Sequence, residues 1–177
     1  MKNSSKNKKA QAELKLNIGS GGKKLEGYIN IDVSTKYKPD VVADICNLPF
    51  NDNSVDEIYT DNVLEHVDKF EKAMKEMHRV LKKSGKLVII VPYANCGTAQ
   101  IPQHLRYFSW ISFNPFIEGD GHDDYYDFHF RKMNREFRFL FINKIIKPLA
   151  DSHPWLYEST FLVSLFPAHE LYVELTK

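Results

Sequence analysis

The chain has 177 residues, of which 43% are hydrophobic and 27% charged, with a formal net charge of +1. This length suits one domain with a sizeable core, and the near-neutral charge argues against the strongly basic surface typical of nucleic-acid binding. Two cysteines without C-x-x-C spacing indicate neither a disulfide framework nor a zinc site. No apolar run is long enough for a membrane span, so we expect no transmembrane segment and a cytoplasmic location.

Residues 1–13 are rich in Lys, Asn and Ser and carry almost no apolar side chains. This composition predicts a mobile polar tail, whose lysines would be free to contact an acidic partner. The folded domain is expected to occupy residues 14–177.

The first informative segment is residues 14–33, in which two short apolar runs flank a glycine-rich turn. Gly19 and Gly21 follow the first run, and glycines at that place let the backbone approach a ligand closely. Asp32 ends the second run, where a carboxylate can accept hydrogen bonds from both hydroxyls of a ribose. The nine residues between the runs are too few for an ordinary crossover, so the first helix is expected to be short or missing.

The spacing of this turn selects among nucleoside ligands. The dinucleotide pattern G-x-G-x-x-G needs a glycine at the position of Lys24 and an acid about 20 residues further on, so Asp32 comes too early. The P-loop pattern is also absent from the sequence. The turn therefore favours a ligand with an adenosine and no phosphates, namely S-adenosylmethionine (SAM), and disfavours a nicotinamide-dependent oxidoreductase.

The next segments predict a βαβ arrangement with a parallel sheet. Residues 41–45 and 55–61 read as the third and fourth strands. Apolar residues at helical spacing follow, and Asp68 is expected to begin that helix by side-chain capping. Ser84-Gly85 is expected to end the helix, and residues 86–91 then form a buried strand.

The last third of the chain is less regular. Phenylalanines alternate with polar residues in two stretches, 128–130 and 137–141, and predict an extended or bulged strand. Residues 144–150 and 155–165 are candidate helices. Residues 170–175 predict a final antiparallel strand. The apolar stretch 155–166 is interpreted as core or as the face of a homodimer.

Six motifs in succession resemble the class I SAM-dependent methyltransferases, in the small bacterial and archaeal group. They are Leu16-Asn-Ile-Gly-Ser-Gly21, Tyr28-Ile-Asn-Ile-Asp32, Val42-Ala-Asp-Ile-Cys-Asn-Leu-Pro-Phe50, Ser54-Val-Asp-Glu-Ile58, Asn62-Val-Leu-Glu-His66 and Glu76-Met-His-Arg-Val-Leu-Lys-Lys-Ser-Gly-Lys-Leu-Val-Ile-Ile-Val-Pro92. The resemblance is strong over residues 14–93. It implies an α/β fold, a three-layer Rossmann-like sandwich whose seven-stranded sheet is mostly parallel with an antiparallel last strand.

The resemblance also implies SAM as methyl donor and S-adenosylhomocysteine as product. The implied cofactor-binding residues are Asn17, Gly19, Ser20, Gly21, Asp32, Val33, Asp44, Ile45, Asn62, Val63 and Leu64. Asp44 would accept from the adenine amino group, although it could instead cap the following turn. Val63 or Leu64 could equally belong to the core. The family often has an acid where this chain has Asn17, and a glycine where it has Lys23.

The acceptor side is predicted from residues 93–127, which would form an insertion or lid. Tyr93, His104, Arg106 and Tyr107 are the candidate acceptor-binding residues, with a packed aromatic loop as the alternative. His66 and His104 are the candidate catalytic residues, His66 as a general base or simply as a helix cap. Residues 119–124 resemble a metal loop in composition but not in spacing, so no metal is predicted.

The sequence thus predicts a SAM-dependent methyltransferase acting on a small-molecule or sugar-like acceptor. Two alternatives stay open. One is a regulatory protein that binds SAM without turnover, and the other is an RNA methyltransferase that docks through its lysine-rich tail.

Overall fold

The computed structural model describes residues 13–122 and 124–177, except the side chains of residues 141–143. Seven strands form one sheet in the order β3-β2-β1-β4-β5-β7-β6. The strands are β1 (Lys15–Ile18), β2 (Ile29–Asp32), β3 (Val41–Val42), β4 (Val55–Asp61), β5 (Leu81–Pro92), β6 (Lys132–Arg138) and β7 (Glu170–Thr176). The helices are α1 (Phe70–Val80), α2 (Lys147–Ser152), α3 (Pro154–Glu158) and α4 (Leu162–Leu165). The predicted N-terminal tail falls on residues 1–12, which lie outside the described part.

The strand directions confirm the predicted Rossmann-like sheet. Strands β1 to β5 pair in parallel, whereas β7 is antiparallel to both β5 and β6. The final antiparallel strand is therefore inserted between β5 and β6. Because parallel strands end at the same edge, the loops after β1, β2 and β4 meet there, where ligands bind in open α/β sheets.

The four α-helices of the described residues pack on the same face of the sheet. Buried side chains of all four helices belong to the same core cluster as Leu16, Ile58 and Ile89 on one sheet face. The opposite face carries no α-helix within residues 13–122 and 124–177. The reason lies in two connections. The one from β1 to β2 contains no helix, and the one from β2 to β3 contains only a 3₁₀ turn over Thr35–Tyr37. The expectation of a short or missing first helix is confirmed, since no helix lies between β1 and β2.

The boundaries of α1 differ from the sequence prediction at both ends. Lys69, not Asp68, occupies the N-cap position, and it makes no side-chain capping bond. The helix ends at Val80 rather than near Ser84, because Leu81 already pairs with Val55 of β4. Pairing then shifts in register before it resumes from Glu57, and Ser84, with φ of +67°, lies in this irregular stretch.

Other elements are shorter than predicted. Strand β3 covers only two residues, and the predicted helix over 155–165 is divided into α3 and α4. The predicted helix over 144–150 begins as a 3₁₀ turn, Phe141–Ile146, before α2. No helix in the described part of the chain is both long and apolar enough to cross a membrane.

Aromatic rings from the 108–130 segment pack on α1 and close this side of the core. The Phe70 ring lies 5.8 Å from the ring centroids of both Phe108 and Phe116. Further along α1, the His78 ring lies 5.3 Å from Phe128 and 5.1 Å from Phe130. The 93–127 segment is thus held against the helix through its aromatic side chains.

His78 makes the stability of this packing depend on pH. Burial, followed by the positive charge of Lys177, lowers the pKa of His78 to about 4, against about 6.5 in an unfolded chain. Between these values the unfolded chain binds a proton that the folded chain does not, so the free energy of unfolding falls as pH decreases from 6.5 to 4. We expect this site to contribute a loss on the order of 2 kcal/mol.

Urea unfolding at several pH values checks this expectation. His78→Gln keeps a donor for the His129 carbonyl, which accepts from His78 Nε2 at 3.1 Å, and should reduce the pH dependence between 4 and 6.5. The exposed His153, changed to Gln, should leave it unchanged. Equal pH slopes in the wild type and His78→Gln would contradict the assignment.

Candidate active site

A cavity of about 620 Å³ opens at the carboxyl ends of β1, β2 and β4, and we call it the cleft. Its volume falls within the ~300–1,000 Å³ of typical small-molecule sites. Its walls are Ile18, Gly19, Asp32, Val33, Tyr37, Ala43, Asp44, Ile45, Cys46, Asn62, Val63, His66, Val67, Asp68 and Lys69. The predicted cofactor residues Gly19, Asp32, Val33, Asp44, Ile45, Asn62 and Val63 are among them.

Gly19 is the point where the loop after β1 touches the loop after β4. Its φ is +67°, and a Cβ built on it would lie 2.3 Å from Cγ2 of Val63. Carbon atoms cannot approach that closely, so this position accepts only glycine while Val63 keeps its place. The close contact brings the two loops together at the wall of the cleft.

Asp32 presents a carboxylate to the cleft while holding the glycine turn. Its Oδ2 accepts from the backbone N–H of Gly21 and its Oδ1 from that of Ser34, both at 2.8 Å. An ionised carboxylate has about four acceptor positions, so two backbone bonds leave capacity for two more. This is the number that the two hydroxyls of a ribose need.

Buried amides fix the helix-free turn between β1 and β2. Asn17 Nδ2 donates to the carbonyl of Lys23 and to Asn30 Oδ1, both at 2.9 Å. Asn30 Oδ1 also accepts from the Leu25 amide at 2.8 Å. The backbone amide of Asn30, then its side chain, then Lys24 lower the pKa of Asp40 to about 2. These bonds position the turn that a helix would otherwise hold.

The turn after β3 forms the floor of the cleft. Asp44 Oδ1 accepts from the backbone N–H of Cys46 at 2.8 Å. Asp44 therefore caps this turn, which was the alternative role considered from the sequence, and it also lines the cleft. Ile45 offers an almost buried apolar surface beside it. Burial raises the pKa of the Cys46 thiol, which keeps this cleft residue uncharged near neutral pH.

The chain turns sharply at the end of β4. Asn62 adopts φ of +54°, a left-handed conformation that Asn tolerates better than most residues. Its backbone N–H donates to the Ile90 carbonyl at 2.9 Å, which ties the turn to β5. A 3₁₀ turn over Leu64–His66 follows and places His66 in the cleft wall.

Residues 17–89 match the sequence profile of a family described as a methyltransferase domain. These residues include the end of β1, all of β2, the turn after β3 and the loop after β4, and so every residue that lines the cleft. Residues 17–89 belong to the methyltransferase domain family. The match confirms the resemblance found in the motifs.

Two curated proteins are similar to short segments of this chain. An uncharacterised protein of Methanocaldococcus jannaschii is 47% identical over 51 residues, covering 29% of this chain and 22% of its own. A demethylmenaquinone methyltransferase of Staphylococcus epidermidis is 46% identical over 50 residues, covering 28% and 21%. The matched segments thus span about a fifth of the length of these curated relatives.

A solved structure shows the same fold over nearly the whole chain. A SAM-dependent methyltransferase from Archaeoglobus fulgidus superposes with a TM-score of 0.64 at 16% identity. The superposition covers 94% of this chain and 86% of the other. At this identity the likeness concerns the fold, and it extends beyond the methyltransferase domain match into the C-terminal part.

Four predicted cofactor residues of the methyltransferase domain do not line the cleft. Asn17 faces the turn that it anchors, Gly21 acts through its N–H to Asp32, and Leu64 lies wholly in the core. Ser20 is 4% exposed, and its hydroxyl has no hydrogen-bond partner among the described residues. The residues that sequence reasoning missed are Ile18, Tyr37, Ala43, Cys46, Val67, Asp68 and Lys69. Most of these residues are next to a predicted site residue in the chain, and this proximity was the only sequence signal that could have identified them.

The predicted acceptor-binding residues are dispersed. Tyr93 is buried and donates to Glu158 Oε1 at 2.9 Å, and burial, followed by the Glu158 charge, raises its pKa. Arg106 donates to the backbone carbonyls of Val67 and Asp68. Tyr107 is exposed.

His104 alone of the four predicted acceptor residues makes a ring contact with a residue that lines the cleft. Its ring centroid lies 4.7 Å from that of His66, and the two planes are 80° apart. The two candidate catalytic residues are therefore neighbours, with His66 in the cleft wall and His104 beside it, although 38 positions separate them in the chain.

Proposed function

We propose that this chain is a SAM-dependent methyltransferase that acts on a small-molecule acceptor. The observation that carries the proposal is the Asp32 carboxylate. It lies in the wall of a cleft of suitable volume, keeps spare acceptor capacity and stands beside Gly19 in a methyltransferase domain.

The cleft residues fit SAM part by part. Asp32 would accept from the ribose hydroxyls, Ile45 would pack against the adenine, and the second oxygen of Asp44 would accept from the adenine amino group. The unpartnered Ser20 hydroxyl near the glycine turn is a buried polar atom that a ligand could satisfy. SAM supplies a methyl group activated on a sulfonium sulfur, which leaves as a neutral thioether.

The protein's share of such a reaction is chiefly orientation, which in ideal cases contributes about 7–11 kcal/mol. The loop contact between Gly19 and Val63 sets the distance between the donor and the residues after β4. An acceptor that must lose a proton needs a base. His66 and His104 are the candidates, because His66 lines the cleft and the His104 ring is in contact with it.

A small-molecule acceptor is supported by the demethylmenaquinone methyltransferase relative, whose name specifies a quinone-type acceptor. The near-neutral charge supports the same class, since a sequence-independent grip on RNA rests on many basic contacts. The sugar-like acceptor suggested by the motifs remains in the same class.

Calorimetric titration with SAM and with S-adenosylhomocysteine tests the proposal. Micromolar binding of both is expected, followed by transfer of a labelled methyl group to some member of a panel of quinols, sterols, sugars and amines. Binding without transfer to any acceptor would favour a regulatory role, and transfer to RNA alone would favour the RNA methyltransferase. If a folded sample binds neither SAM nor S-adenosylhomocysteine, the proposed SAM-dependent activity is refuted.

A further inference from the structure

Three metal-ligating side chains meet beside the cleft. One ligand atom each of Glu65, His66 and His104 lies within 4.8 Å of the others. Bonds from nitrogen or oxygen to a zinc-like cation are about 2.0–2.2 Å long and point to the corners of a tetrahedron, so two ligands of one ion are roughly 3.3–3.6 Å apart. Small side-chain movements would bring all three onto a single cation.

The backbone holds these residues together independently of any ligand. Glu65 and His66 lie in the 3₁₀ turn after β4, and His104 comes from the loop before Phe108. The Leu105 amide donates to the Glu65 carbonyl at 2.8 Å, which joins the two segments at this point. The cluster is therefore a product of the fold and not of a single flexible loop.

Both histidines hold one ring nitrogen against a backbone carbonyl, as metal-binding imidazoles commonly do. His66 Nδ1 lies 3.3 Å from the Gln103 carbonyl oxygen, and His104 Nδ1 lies 3.1 Å from that of Ala99. A carbonyl oxygen only accepts, so each Nδ1 carries a proton, and in the neutral imidazole ring the free lone pair is then on Nε2. Metal-ligating histidines almost always donate their other ring nitrogen to such a partner.

Glu65 supplies the independent observation that points to a ligand. Its side chain is only 1% exposed, and neither carboxyl oxygen has a hydrogen-bond partner in the described part of the chain. A buried carboxylate without a partner is costly, and such a group calls for an explanation, an ion that belongs there being one.

We propose that Glu65, His66 and His104 bind a divalent first-row transition-metal cation. Two imidazoles and one carboxylate suit zinc, iron(II) or cobalt(II) better than magnesium or calcium, which prefer oxygen ligands. Three protein ligands leave at least one coordination position for an external oxygen. This is the arrangement of catalytic rather than structural metal sites.

The consequence for the reaction rests on the proposed function. His66 belongs to the cluster and also lines the cleft. A cation bound by the cluster would therefore face the cleft, and we infer that the methyl acceptor is a hydroxyl compound whose oxygen occupies the open coordination position of the cation. Cation binding lowers the pKa of such a hydroxyl, and its proton passes to solvent. The oxygen then bonds to the methyl carbon while the carbon–sulfur electron pair remains on sulfur. The cation thereby replaces a histidine base.

Cobalt(II) is the probe, because its visible absorption reports coordination without any need for turnover. The full chain is freed of metal with a chelator and titrated with Co²⁺ in the absence of SAM. We expect one ion per chain, with affinity reduced at least tenfold in both His66→Ala and His104→Ala. His153→Ala removes an exposed histidine outside the cluster and should bind like the wild type.

Substoichiometric binding, or equal affinity in His104→Ala and His153→Ala, would overturn the metal site. Glu65→Gln tests the role of the carboxylate in cation binding. If that variant does not fold, the two histidine variants still test the metal site. Both histidines are at least partly exposed, so their replacement should leave the domain folded. SAM titration of the chelated wild type tests the proposed function separately, since Asp32 and Gly19 are not cation ligands. Loss of SAM binding would therefore refute the methyltransferase and leave the metal result standing.

Discussion

Changing Asp32 to asparagine should weaken SAM binding at least 100-fold and leave the domain folded. The variant loses the negative charge. The NH₂ group of its side-chain amide must also face a backbone N–H, either that of Gly21 or that of Ser34, so that a donor meets a donor. Hydrogen bonds to a charged partner are worth about 1.5–3 kcal/mol each. Loss of two to the ribose, at 1.4 kcal/mol per tenfold, gives the expected change.

Calorimetry with adenosine and with S-adenosylhomocysteine separates a direct contact from a general charge effect. All ligands that contain the ribose should lose affinity to a similar extent, including adenosine, which has no sulfonium charge. Glu26→Gln removes the same charge from an exposed position of the same turn, and it should bind SAM like the wild type. Affinity of Asp32→Asn within about threefold of the wild type, roughly 0.7 kcal/mol, would show that the carboxylate does not contact the ligand.

The second large effect is expected at Gly19. An alanine there combines a left-handed φ with a Cβ 2.3 Å from Val63 Cγ2 and 2.9 Å from Cγ1. The backbone conformation costs about 1–2 kcal/mol and the overpacking about 1–3 kcal/mol. We expect Gly19→Ala to lower the free energy of unfolding by about 2–5 kcal/mol and to abolish SAM binding, because the loop must move out of the cleft wall.

Gly21 offers a matched control two residues away. Its φ is also positive, at +47°, but nothing lies within 4 Å of a Cβ built there, so Gly21→Ala should cost only the backbone term. The double variant Gly19→Ala/Val63→Ala should recover part of the difference, since it removes the clashing methyl groups. Urea unfolding measures all three. If Gly19→Ala and Gly21→Ala lose the same stability, the close contact with Val63 is not what requires glycine.

Local sequence patterns predicted those helices and strands whose apolar residues recur at a regular helical or strand spacing. The apolar spacing of Phe70, Met74 and Met77 marked α1, and the strand ending in Asp61 was predicted with the bounds it has. Asp32 was assigned from its place at the end of a strand. The ends of α1 were not predictable in this way, because pairing of Leu81 with Val55 is a long-range contact that outweighs the local Ser84-Gly85 signal.

The sequence by itself predicted the methyltransferase motifs of residues 14–93, the mostly parallel sheet, the short or missing first helix and Asp32 as the ribose-binding carboxylate. Each depends on composition and spacing within a few neighbouring residues. Only the tertiary structure decided that Asn17 anchors a turn, that Tyr93 is buried and that Glu65 and His66 meet His104. These outcomes depend on side chains brought together across the sheet, where distance along the chain says nothing about distance in space.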